Sequence, residues 1–242
     1  ADLFLTGLGR EGQWYRFHPL FRDLLQRKLQ LTLGEAAVRQ LQLRAAAWFA
    51  GEGMIEDAVR LYLTGGDQDA AGELVERQMF PEPGRPAPHG PPSYWLRLLP
   101  AALIDRRPGL SLIEARLASF AMNIPALEAR LQRVEQLLAA SGGEGWSPPW
   151  PTFGGDLTML RGTLRYWQAR PAEAIAEMQH ALALGTVPLL AGQALLILGN
   201  AYVAMGRYDE GVQLLRESMA GRSGPPAQLQ LVSHLLALCS MH

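Results

Sequence analysis

Leu198-Gly199-Asn200-Ala201-Tyr202-Val203-Ala204-Met205-Gly206-Arg207-Tyr208-Asp209-Glu210-Gly211 (LGNAYVAMGRYDEG, 198–211) decides the reading of this chain. Apolar residues recur at helical spacing on both sides of Gly206, which marks a turn between two helices. Gly199 is small enough to let the two helices approach, and Tyr202 fills the space between them. Working outward, Gly162 aligns with Gly199 at a period of 37 residues. The same shift pairs Ala174 with Gly211, Met178 with Leu215 and Ala181 with Ser218. A looser copy runs through Phe49, Gly53, Ala58 and Tyr62. Each helix pair leaves an apolar face that only a neighbour covers, so stacking follows.

This spacing is that of tetratricopeptide helix pairs. Arg161 and Arg165 depart from it, standing where the template places Leu and Tyr. Helices are expected near 35–51, 54–64, 67–79, 93–106, 109–122, 125–140, 156–169, 171–185, 189–205, 207–220 and 226–241. Two stretches interrupt them. FPEPGRPAPHGPP (80–92) is too rich in proline for helix or central strand. SGGEGWSPPWPTFGG (141–155) is non-helical and carries Trp146, Trp150 and Phe153. Aromatics in such a loop either pack onto the body or, in the sharper reading, make Trp146 and Trp150 a lid over a ligand.

At the other end, Trp14–Leu29 reads WYRFHPLFRDLLQRKL. Strand-like runs at Leu3–Thr6 and Trp14–Phe17 flank the turn Gly9-Arg10-Glu11-Gly12, a β-hairpin pattern. Pro19 suits the first turn of a helix, and Leu20, Leu24, Leu25 and Leu29 recur at helical spacing behind it. The chain begins without Met and ends in the apolar run Leu229–Leu238, so it is expected to be an excised piece of something larger.

Composition narrows the chemistry. The formal net charge is −1, and Lys28 is the sole lysine, so no global field draws the chain to nucleic acid or anionic lipid. One cysteine, Cys239, excludes an internal disulfide and agrees with a reducing cytoplasm. No apolar run spans a membrane and no signal peptide is visible. No GxxxxGK[ST], HExxH, CxxC or GxSxG occurs. Glu177-x-x-His180 has the spacing of a di-iron ligand pair, but the second such motif is missing and a solvated helix face explains it. His18, His89, His180, His234 and His242 share no element. The expectation is no catalytic residue, no metal and no enzyme.

FLTGLGREGQWYRFHPLFRDLLQRKL (4–29) resembles the end of the winged helix in large ATP-binding LuxR-type regulators, the maltose-activator-like bacterial signal-transduction ATPases. LQLRAAAWFAGEGMIEDAVRLYLTGGDQDAAGELVE (41–76) is similar to the helical arm that follows it there. SYWLRLLPAALIDRRPGLSLIEARLAS (93–119) resembles the entry to that family's superhelical sensor. The resemblance implies an all-α fold: a right-handed superhelix of tetratricopeptide-like pairs, preceded by a β-hairpin remnant of a winged helix. It implies three segments: 1–30, the winged-helix remnant; 31–92, the arm and proline-rich loop; and 93–242, the sensor, truncated at its C-terminus. It implies transcription regulation in the cytoplasm, with the ATPase and the helix-turn-helix DNA reader elsewhere in the same polypeptide. No cofactor, direct nucleic-acid contact or membrane contact is expected of this fragment.

In the template register the concave face takes Met159, Thr163, Tyr166 and Trp167 from one pair, and Leu196, Asn200 and Val203 from the next. Rings that stack on a ligand's apolar face, beside a hydroxyl and an amide that orient it, suit a small-molecule inducer. They also suit an extended peptide of a regulatory protein, or simple packing against the next repeat. The competing function is a generic tetratricopeptide scaffold for protein partners.

Overall fold

The computed structural model describes residues 4–8, 14–79, 90–140 and 150–220. Its contacts divide the chain into two compact units, Ala1–Leu74 and Val75–His242.

In the first unit, strands β1 (Leu5–Leu8) and β2 (Trp14–Phe17) pair antiparallel, with Leu5 opposite Phe17 and Leu8 opposite Trp14. β1 lies further along than the expected Leu3–Thr6 run, and residues 9–12 fall outside the described residues. The His18 N–H donates to the Phe4 carbonyl at 2.7 Å, which leads the chain into helix α1 (Pro19–Gly51). Phe21 of α1 stacks on Phe4, with ring centroids 4.7 Å apart. Gly34 interrupts α1 with φ 76° and ψ 163°, so the helix is two segments joined at a kink. The second segment packs on helix α2 (Ile55–Gly65), burying Ala46, Ala58 and Val59. Helix α3 (Gln68–Met79) starts where the Asp67 carboxylate accepts the Ala70 N–H at 2.9 Å.

The second unit holds α4 (Pro92–Leu96), α5 (Ala101–Arg106), α6 (Pro108–Phe120), α7 (Ile124–Ala140), α8 (Phe153–Trp167), α9 (Pro171–Leu184), α10 (Pro188–Ala204) and α11 (Tyr208–Ala220). The single helix expected over 93–106 is two, because Pro100 cannot continue a helix begun before it. The helix expected at 226–241 lies outside the described residues. Apart from two four-residue strands, the described protein is all-α. Helices pair as α6–α7, α8–α9 and α10–α11, and neighbouring pairs stack through α6–α8, α8–α10 and α9–α10. No helix among the described residues is long and apolar enough to cross a membrane.

One turn builds every pair. Gly53, Met122, Ala169 and Gly206 all take positive φ, at 78°, 53°, 59° and 76°. The residue after each donates its N–H five residues back: Met54 to Phe49, Asn123 to Ala118, Arg170 to Arg165 and Arg207 to Tyr202. That is the helix-ending pattern of a left-handed cap. The same residue then accepts the first bond of the next helix, from Ala58, Leu127, Ala174 and Gly211 respectively. The sequence reading found three copies; α6–α7 is a fourth in the same register.

The register also sets the crossings. A small buried residue sits at the same place before each turn: Ala46, Ala115, Gly162 and Gly199. A Cβ on Gly162 would lie 2.9 Å from the Met178 methyl, and one on Gly199 would lie 2.8 Å from Leu215 Cγ. Met178 and Leu215 are the two residues that the 37-residue period aligned. On the second helices, Leu127, Leu131 and Val134 of α7 occupy the places of Ala174, Met178 and Ala181 in α9, and all six are buried. The two off-template arginines make ion pairs between helices: Arg161 with Glu135 at 2.9 Å and Arg165 with Glu173 at 3.5 Å. Where Arg165 has Tyr202 as its counterpart, the phenol oxygen accepts from Gln179 Nε2 at 2.8 Å.

Candidate functional site

The residues expected on the inner face come from α8 and α10, which pack as neighbours. Their fates differ. Met159 and Thr163 are fully buried. The Thr163 hydroxyl donates back to the Met159 carbonyl at 3.0 Å and lies 3.3 Å from its sulfur. Both side chains therefore belong to the packed interior and present nothing to a ligand. This corrects their assignment to a binding face: the small inward-pointing positions of α8 are filled by neighbouring helices. Tyr166, Trp167 and Asn200 are partly buried, as are Leu196 and Val203, so their outer parts remain reachable. Burial raises the Tyr166 phenol above its ordinary pKa, keeping it a neutral donor and acceptor.

Trp150 is buried at 5% exposure and its indole N–H donates to the Asp156 carboxylate at 2.8 Å. It is part of the core, not a lid, because swinging free would expose the buried ring and take one donor from a buried carboxylate. Trp146 lies outside the described residues.

The sequence reading missed the group that organises this region. Asp156, 1% exposed in the first turn of α8, also accepts from the Thr152 hydroxyl at 3.0 Å and from the Val187 backbone N–H at 3.1 Å. It thus ties the segment before α8 to the start of α10. Burial pushes its carboxyl above the usual range, while these three hydrogen bonds and the Arg116 charge pull the other way. Arg116 of α6 is itself buried, and that burial lowers its pKa. The only sequence signal was an acidic residue in a helix's first turn, which normally means a favourable end charge and nothing more.

Two further polar atoms occur at equivalent register positions. Ser119 Oγ takes the place of Tyr166 in α6, and Gln193 Oε1 takes the place of Asp156 in α10; both are buried without a hydrogen-bond partner among the described residues. Tyr166, Trp167 and Asn200 give the first helices α8 and α10 partly exposed aromatic and amide surface, whereas those two oxygens are closed to solvent. Among the described residues no group of His, Cys, Asp or Glu is placed to hold a metal. Glu177 and His180 line a shallow hollow with Glu173 and Ala176 on α9. A larger groove of about 520 Å³ lies in the first unit, along α1, lined by Phe17, Leu25, Leu29 and Leu33 among others.

These features define a protein of stacked helix pairs that follows a strand pair and a leucine-rich helix. Residues 1–37 match the family model of the MalT winged helix domain. The serine/threonine-protein kinase PknK of Mycobacterium tuberculosis, in the CDC 1551 / Oshkosh and H37Rv strains, is 41% identical over 75 residues, covering 31% of this chain and 7% of that protein. PknK of Mycobacterium bovis matches to the same extent. The chain thus corresponds to a small part of the curated relatives it matches. No solved structure matches it.

Proposed function

We propose that this chain is the effector-sensing region of an ATP-dependent LuxR-type transcriptional regulator. An inducer, or a regulatory protein, engages the first helices of the repeated pairs at Tyr166, Trp167 and Asn200. The event is relayed along the arm to ATPase and helix-turn-helix domains elsewhere in the polypeptide. In this reading residues 1–30 end a winged helix, 31–92 form the arm and 93–242 the sensor, and the fragment itself catalyses nothing. The observation that carries the proposal is the match of residues 1–37 to the MalT winged helix domain, immediately ahead of repeated helix pairs. A plain scaffold has no use for that segment. The mechanism is population shift: an effector that favours one arrangement of arm and sensor raises its share by its differential affinity alone.

The test is a thermal-shift screen against sugars, sugar phosphates, nucleotides, amino acids and phenolics. A ligand at a hundred times its Kd stabilises the folded state by about 2.7 kcal/mol, a readable rise in midpoint. The expected hit disappears in Trp167→Ala while the ligand-free midpoint changes by only a few degrees. A collapse of the ligand-free midpoint marks Trp167 as packing. No hit across the library transfers the site to a protein partner.

A further inference from the structure

α1 has a property that neither the repeats nor the proposed effector site uses. Its two segments meet at Gly34, whose φ of 76° and ψ of 163° belong to a region that only glycine occupies without strain. Among the described residues nothing holds the bend from outside. A Cβ added at Gly34 would meet no atom within 4 Å. Every residue from 22 to 36 is exposed, so among the described residues no side chain is buried across the junction. The hydrogen bonds nearby are local: the Thr32 hydroxyl donates to the Lys28 carbonyl at 2.8 Å, and Glu35 pairs with Arg39 at 3.7 Å along the same helix.

The flanks, Gln30-Leu31-Thr32-Leu33 and Glu35-Ala36-Ala37-Val38, contain no proline and are compatible with helix on both sides. Straightening Gly34 would add the backbone bonds now missing across the kink, against the modest cost of one glycine in a helix. It would break no tertiary contact at the junction. Thr32 and Glu35 would keep their present partners. The bend also falls just inside the end of the family match at residue 37.

We propose that Gly34 is a two-state hinge, bent as in this structure and rejoined in its second state into one continuous helix from Pro19 to Gly51. The strand pair and the first segment of α1 move as one body about it, since Phe4 and Phe17 pack on Phe21. The helix pair α1–α2 stays fixed on the other side, because the buried residues of α1, Val38 and Ala46, lie beyond the kink. This is separate from the effector proposal and does not depend on a ligand.

The experiment places spin labels at Arg27→Cys and Arg44→Cys, both exposed, in a Cys239→Ser background of the whole chain. Along a continuous helix the two positions lie about 25 Å apart, and a bend shortens that distance. The wild-type junction is expected to give two distance populations, the longer at the continuous-helix value. Gly34→Ala, which cannot hold the bent backbone without strain, is expected to leave only the longer one, with the melting midpoint unchanged. Glu35→Pro, which suits the first position of the second segment but breaks a continuous helix, is expected to remove it. A single wild-type population that Gly34→Ala leaves unaltered overturns the hinge, as does a longer population that survives in Glu35→Pro.

Discussion

The α8–α9 pair and the first segment of α1 are both apolar helices in sequence, and they behave oppositely. In α8, residues from Gly155 to Leu160 are all buried and the helix is met on every side by α6, α7, α9 or α10. In α1, Leu20, Leu24 and Leu31 are 76%, 60% and 89% exposed. Helical spacing of leucines establishes which face is available for burial, and only a surrounding set of helices turns that face into core. The repeats supply such a set for one another, whereas the ring contacts of the α1 segment among the described residues are those of Phe4 and Phe17 with Phe21.

That contrast can be broken most forcefully at Asp156. Asp156→Ala removes the acceptor of Trp150 and Val187 and the charge facing Arg116; the expected loss is about 3–5 kcal/mol, read by urea unfolding. Asp156→Asn adds a test by pH. Burial sets the folded carboxyl above its ordinary value of 3.8, so the folded state holds the proton more tightly than the unfolded chain. The contribution of the wild-type group to stability is therefore largest at acid pH and falls as pH rises from about 3.8 through the raised value. Asparagine does not titrate, so the deficit of Asp156→Asn relative to wild type is expected to shrink over that interval.

Gly211→Ala probes the helix crossing. Its Cβ would stand 2.8 Å from the Gly199 carbonyl, and the forced separation of α10 and α11 is expected to cost about 1–3 kcal/mol. Smaller and opposite in sign, Met122→Gly and Ala169→Gly relieve side chains held at positive φ, and each is expected to stabilise by up to about 1 kcal/mol. Smallest of all, Leu31→Gln should fall within about 0.5 kcal/mol of wild type, because its side chain is already in water. A larger loss there would mean that this leucine is covered in solution and would erase the contrast with α8.

Much of the fold was legible because helix crossings leave short-range marks. The Gly162–Gly199 alignment paired Met178 with Leu215, and the structure sets each against the glycine of its own helix pair. The pair α6–α7 escaped detection because Ala115, Met122 and Leu127 stand where the clearer copies carry glycine or alanine. Register was preserved by backbone hydrogen bonds, which the side chains do not announce. The inner face was less legible. Template register placed Tyr166, Trp167 and Asn200 together with Met159 and Thr163, and it could not foresee that the first three stay partly exposed while the last two are buried by the close approach of adjacent helices. Asp156 was invisible for a related reason: its partners at Val187 and Arg116 are distant in sequence and meet it only after stacking.

The shared turn has a consequence for how such a chain changes length. All its defining bonds are backbone bonds within one pair, so a pair is closed by its own residues whatever lies before or after it. The step from Met122 to Ala169 is longer than that from Ala169 to Gly206, and most of the surplus lies in the connection between α7 and α8. Insertions are thus absorbed between pairs and leave the closure of each pair untouched. A chain built in this way can lengthen, shorten or duplicate its array by whole pairs, with every inherited turn already complete.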